Sequence, residues 1–295
     1  MNNYIISCCS TADLNQNFYD ENQVPFACFQ FFVDDVLYED NNGKSMDFAT
    51  FYQKMRDGAM TRTSQVNAEG YVEMLRPYLE KGMDVLHLTL SSGISGTYNS
   101  ACIARDMLLE EFPDRTIYVI DSLTASCGFG LLVDTALEKQ KEGMDIHTLN
   151  QWILDNRLKL DLWLMTSDLT YLVRGGRVSK ASGAIGNLLN ICPLIDLNNE
   201  GKLMVREKVR TKKKALRTQV EKMKATAQNG LEYSGKCFVS HSDCIEDAKL
   251  LASMIEEAFP NLKEPVSISS IGTVIGSHTG PGSTVICYWG EERSE

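Results

Sequence analysis

Apolar positions along this 295-residue chain follow two recurring patterns: short continuous runs of strand length and longer stretches with helical spacing. Residues 4–8 read as a first buried strand, and residues 26–33 as a second that closes on a turn at Asp34-Asp35. A helix is expected over 47–56, then a hydroxyl-rich loop at 61–65, then a helix over 68–81 that stops at Gly82. Residues 84–90 and 116–120 are both strand-like. Each leads through a polar loop into a helix, over 97–111 and 126–141. Strand-then-helix alternation predicts a parallel sheet with right-handed crossovers.

A helix over 145–158 links this unit to a second one, with a boundary near residue 160. Beyond it, strands at 161–165, 193–197, 202–209, 236–240, 266–270 and 284–289 mix with helices at 182–189, 212–227 and 245–259. Hairpin-like and crossover connections together predict a mixed sheet. The expected fold class is therefore α/β in two domains. Residues 1–160 form a three-layer α/β/α unit with a mostly parallel sheet; residues 161–295 form an α+β unit with a mixed sheet. The ligand site is expected between them.

Composition narrows the function. A formal charge of −10 and a pI near 5.0 leave no net basic face for nucleic acid. One local exception is the basic stretch from Arg206 to Lys214, either a solvated strand edge and helix start or a docking patch for an anionic partner. No apolar run reaches the roughly 18 residues that span a bilayer, so no stable membrane insertion is expected. The N-terminus lacks the charged region and cleavage site of a signal peptide. The nine cysteines form no C-x-x-C pair and read as reduced, buried thiols of a cytoplasmic protein. His87, His147, His241 and His278 show no metal-ligand spacing, so no metal or other cofactor is expected.

The candidate chemistry sits in runs that follow strands. SSGISGTYNS begins at Ser91, DLTYLVRGGRVSK at Asp168 and GTVIGSHTGPG at Gly272. Glycine and small hydroxyls let backbone N–H and O–H groups approach an anion, and ligands of open α/β sheets lie beyond strand C-termini. Ser92, Ser95 and Gly96 occupy the first run, with Ser95-Gly96 at a helix start that favours a carboxylate. Thr63 and Ser64 precede a helix and either cap it or join the site. Arg174 and Arg177 flank Gly175-Gly176 as surface charges or as an arginine fork for an anion. His278 and Thr279 lie among glycines and hydroxyls in an expected loop, where a histidine has no packing reason to be.

Three familiar motifs fail. Gly93-Ile94-Ser95-Gly96 closes one residue too early for a nucleophile elbow. Gly128-Phe129-Gly130 has Val133 where a dinucleotide fingerprint needs its third glycine, and no phosphate-binding P-loop is present.

Taken in order, TSQ (from Thr63), SSGISGTYNSA (Ser91), DSLTASCGFG (Asp121), YLVRGGRVSK (Tyr171) and GTVIGSHTGPG (Gly272) closely resemble the DegV family. The likeness runs from the first strand to Tyr288-Trp289. It departs at Val66, where the family often has proline, which affects loop stiffness more than chemistry.

The resemblance implies a bacterial protein that binds a long-chain fatty acid such as palmitate or oleate, and that is not itself an enzyme. It places the carboxylate between the domains on groups matching Thr63, Ser95, Arg174 and His278, with the acyl chain in an apolar tunnel. It further implies a partner, the ATP-binding subunit of a fatty acid kinase, which makes an acyl phosphate. Burial of about fifteen methylenes at about 0.8 kcal/mol each gives roughly 12 kcal/mol before entropy costs, leaving the head group to set register. Two rival readings remain at this point: a serine-dependent hydrolase or transferase using Ser95 and His278, and a lipid sensor acting through a protein partner.

Overall fold

The computed structural model describes residues 3–179 and 191–293; the helix expected at 182–189 lies outside them. In chain order the strands of the first half are β1 (Tyr4–Cys9), β2 (Phe26–Ala27), β3 (Gln30–Val33), β4 (Val36–Glu39), β5 (Thr61–Ser64), β6 (Asp84–Thr89) and β7 (Ile117–Asp121). Its helices are α1 (Gln16–Asn22), α2 (Phe48–Arg56), α3 (Ala68–Glu80), α4 (Thr97–Glu111), α5 (Ser126–Lys141) and α6 (Ile146–Asn156). The second half adds β8 (Leu160–Met165), β9 (Ile191–Leu197), β10 (Leu203–Arg210), β11 (Cys237–His241), β12 (Ser267–Ser270) and β13 (Thr284–Trp289). With these come α7 (Thr170–Arg174), α8 (Lys212–Thr226), α9 (Ile245–Ala258) and α10 (Thr273–Thr279).

A four-stranded parallel sheet of order β2-β1-β6-β7 is covered on both faces, by α3 and α4 and by α5 and α6, as the continuous apolar run of β6 demands. The six-stranded sheet has order β10-β9-β8-β13-β11-β12 and is mixed: only β11 and β12 run parallel. Its outer face carries α8 and α9 over a second apolar cluster.

Helix α5 is the layer both sheets share, so one apolar core runs through both. Two glycines let it pack tightly on either side. A Cβ on Gly130 would lie 2.6 Å from the Ala12 carbonyl oxygen, and one on Gly128 would lie 3.3 Å from Cys287 Sγ. The glycines that fail as a dinucleotide fingerprint thus serve helix–sheet contact.

Four expectations change in the structure. The run expected as one strand at 26–33 is two, β2 and β3, and it leads into β4, which the pattern did not predict. Asp34 and Asp35 do form the turn between β3 and β4, both at positive φ, a two-residue hairpin loop. The expected loop at 61–65 is largely strand β5, held to β3 by pairs such as Phe31 with Thr63, and the Arg62 guanidinium lies 3.6 Å over the Phe32 ring. The segment carrying His278 is not a loop but helix α10, and Tyr171 to Arg174 fall in the short helix α7. Among the described residues no helix is long and apolar enough to cross a membrane.

Candidate functional site

A cavity of about 310 Å³ lies between the two sheets, at the low end of the roughly 300–1,000 Å³ that hold small molecules. Its apolar wall draws on both halves: Leu90 and Phe29 from the first, and Leu162, Leu164, Leu203 and Val285 from β8, β10 and β13. Its polar mouth is built by Thr63, Ser64 and Gln65 at the end of β5, Ser95 before α4, Arg177, and His278 and Thr279 at the end of α10.

Local sequence explains each placement. Antiparallel pairing with β3 turns Thr63 toward α10, where its Oγ1 lies 2.9 Å from His278 Nε2. Neither Thr63 nor Ser64 caps α3; Asn67 does, accepting from the Gly70 N–H at 2.9 Å. The two glycines of RGGR have separate jobs. Gly176 takes φ +73° to turn the chain, and Gly175 makes room for the histidine, since a Cβ there would sit 2.1 Å from His278 Nδ1. Helix α10 is anchored at its other end by two buried carboxylates. Asp13 accepts from the Gly272 N–H at 2.9 Å, and Asp40 accepts from the Thr273 hydroxyl at 2.7 Å and its N–H at 3.2 Å. Burial pushes both carboxyls up, Asp13 well above the ordinary range.

Of the eight residues singled out in sequence, the cavity brings together Thr63, Ser64, Ser95, His278 and Thr279. It does not include Ser92, Gly96 or Arg174. Ser92 is exposed and its N–H donates to Asp121, which fastens the loop. Gly96 packs under Gln65; a Cβ there would meet Gln65 Oε1 at 2.6 Å. Arg174 ends α7 with its guanidinium 5.1 Å over the Tyr171 ring and 3.4 Å from Met60 Sδ, in an outer cleft of about 560 Å³. The arginine that lines the cavity is Arg177, three residues on, whose Nε donates to the Ile94 carbonyl at 3.1 Å. The cleft and the cavity share Thr63, Arg177 and His278. The spacing of RGGR held the signal for Arg177; it did not say which arginine faces inward.

The hydroxyls around Ser95 are otherwise engaged. Ser91 donates to the Gly201 carbonyl at 2.9 Å, and Thr97 lies 2.5 Å from the Tyr71 hydroxyl. His278 is held neutral. Burial, then the positive charges of Arg177 and Arg174, push its pKa down to about 3. Its Nδ1 is buried, with no hydrogen-bond partner among the described residues. Ser95 Oγ accepts from the Thr97 N–H at 3.2 Å, and His278 bonds Thr63 rather than Ser95. No three His, Cys, Asp or Glu side chains among the described residues gather to hold a metal. The basic stretch spans edge strand β10 and the start of α8. Arg206 pairs with Asp196 at 2.7 Å and Lys212 with Asp247 at 2.8 Å, while Lys208, Arg210, Lys213 and Lys214 are exposed.

Comparison with known proteins agrees with this architecture. The model of the DegV family, described as uncharacterised proteins, matches residues 6–291. A DegV domain-containing protein of Clostridium perfringens is 37% identical, covering 99% of each chain. The solved structure of a fatty acid binding DegV family protein from Streptococcus agalactiae superimposes with a TM-score of 0.82 at 30% identity, covering 96% of this chain and 97% of that one. One from Thermus thermophilus, described by its fatty acid binding, gives 0.86 at 27% identity, covering 97% and 99%.

Proposed function

The chain belongs to the DegV family, and on that premise we propose that it is a carrier of long-chain fatty acids. The observation that supports this most is the continuity of one cavity from a mouth of hydroxyls, Arg177 and His278 into an apolar interior between the sheets. Solved relatives are described as fatty acid binding. The carboxylate is received at Thr63, Ser95, His278 and Arg177, and the acyl chain follows Leu162, Leu164 and Val285 inward.

Hydrogen-bond logic assigns roles at the mouth. In the tautomer with hydrogen on Nε2, His278 donates to Thr63 Oγ1, and the threonine's own proton is free for a carboxylate oxygen. Arg177 adds positive charge close to an anion that would otherwise be buried unpaired. The outer cleft beside Arg174 gives a second protein access to the carboxylate, which suits delivery to an ATP-binding fatty acid kinase subunit that forms the acyl phosphate. A hydrolase using Ser95 is disfavoured by the absence, among the described residues, of a hydrogen bond between Ser95 and a general base.

Organic extraction and denaturing mass spectrometry of the purified protein test this reading. An intact, non-covalent long-chain acid is the expected outcome. An acyl adduct on Ser95 would replace the carrier with an acyl-transfer enzyme, and a protein that neither carries nor takes up lipid would refute both.

A further inference from the structure

Away from the mouth, the described residues lining the cavity are apolar, with one exception: Ser126. It is the first residue of α5, 2% exposed, and it holds a left-handed φ of 51° that a serine adopts only at some cost. Its Oγ lies 2.5 Å from Asp13 Oδ2 and 3.0 Å from Ser240 Oγ. Asp13 also sits at φ 51°, so two residues in uncommon backbone geometry meet in one hydrogen bond beside the cavity. Ser126 donates to Asp13 and can accept from Ser240, which leaves one lone pair on the serine oxygen to accept from a hydroxyl on the acyl chain.

The position of this group is fixed by α10. Asp13 holds Gly272 at the start of that helix, and His278 follows six residues later, about 9 Å along the axis at 1.5 Å per residue. Ser126 therefore stands partway down the path of a chain whose carboxylate is at the mouth. A saturated hydrocarbon offers it nothing to bond; an alcohol at the matching carbon does.

We propose that the cavity accepts long-chain fatty acids bearing a hydroxyl group partway along the chain, with Ser126 as the residue that recognises it. The inference rests on the fatty-acid reading above and names its substrate class. A hydroxyl elsewhere along the tunnel would be buried without a partner and would weaken binding.

The test is competition binding of stearate against hydroxystearates whose hydroxyl is moved carbon by carbon along the chain. The full-length protein is compared with Ser126→Ala and Ser126→Gly, the glycine being at ease with the positive φ should the alanine misfold. One hydroxyl position is expected to bind about three- to tenfold tighter than stearate, its neighbours weaker, and that preference is expected to vanish in the variants. Uniform weakening at every position, or a preferred position that survives loss of the serine hydroxyl, overturns the inference and leaves the carrier intact. Failure of stearate itself to bind overturns both.

Discussion

The two ends of α10 are built on opposite terms. At its start, Asp13 and Asp40 reach in from distant loops and take up the Gly272 and Thr273 N–H groups, all buried. At its end, His278 has one partner, Thr63, a ring nitrogen with none among the described residues, and two arginines nearby. Carboxylates bonded to backbone N–H groups at one end fix the helix, although Asp40 Oδ2 has no partner among the described residues; at the other end Nδ1 and the arginines leave binding capacity for an anion. Stability and recognition are thereby assigned to different residues of a seven-residue helix.

The largest expected effect probes the anchored end. Asp13→Ala strips Gly272 and Ser126 of a buried partner and should cost about 3 kcal/mol in denaturant unfolding. Unfolding like the parent protein would mean that this end anchors nothing. Next comes the ligand end, where the two arginines should separate. Arg177→Met is expected to weaken fatty-acid affinity about tenfold, and Arg174→Met by less than about twofold, in a fluorescence displacement assay. Equal losses would erase the distinction between cavity and outer cleft.

A third effect is in pH, and the ends differ in sign. His278, like the fully buried His87, has its folded pKa pushed down to about 3 by burial, below the usual 6.5 of the unfolded chain. Its contribution is whole above about pH 6.5 and is lost as pH falls toward 3, because the unfolded state binds the proton first. Asp13 and Asp40 are raised, so what they contribute is present at acid pH and is lost as pH rises through their folded values. His278→Asn should flatten part of the acid loss in stability, and Asp13→Asn part of the opposite trend. Unfolding profiles in which neither slope changes would contradict the assignment.

The alternation of β6, α4, β7 and α5 was legible because each element carries its own periodicity, and so was the hairpin turn at Asp34-Asp35. Strand β5 was not: Thr-Arg-Thr-Ser has no apolar pattern, and only pairing with β3 makes it a strand. Helix α10 was hidden by the glycines and hydroxyl residues in and around it, because its caps come from carboxylates more than 230 residues away in sequence. At the site, residue types were legible and directions were not. Thr63, Ser95 and His278 converge, whereas Ser92 turns to solvent and Arg177 takes the inward place expected of Arg174. Ser126 looked like an ordinary helix start, since its link to Asp13 exists only in the folded chain.

The most direct measurement is the carbon NMR signal of carboxyl-labelled stearate mixed with the purified protein. One bound carboxyl resonance is expected, distinct from free acid, that moves when Thr63 is replaced by valine. A bound signal that titrates like a carboxyl in open water, and is indifferent to Thr63, would place the head group elsewhere and contradict it.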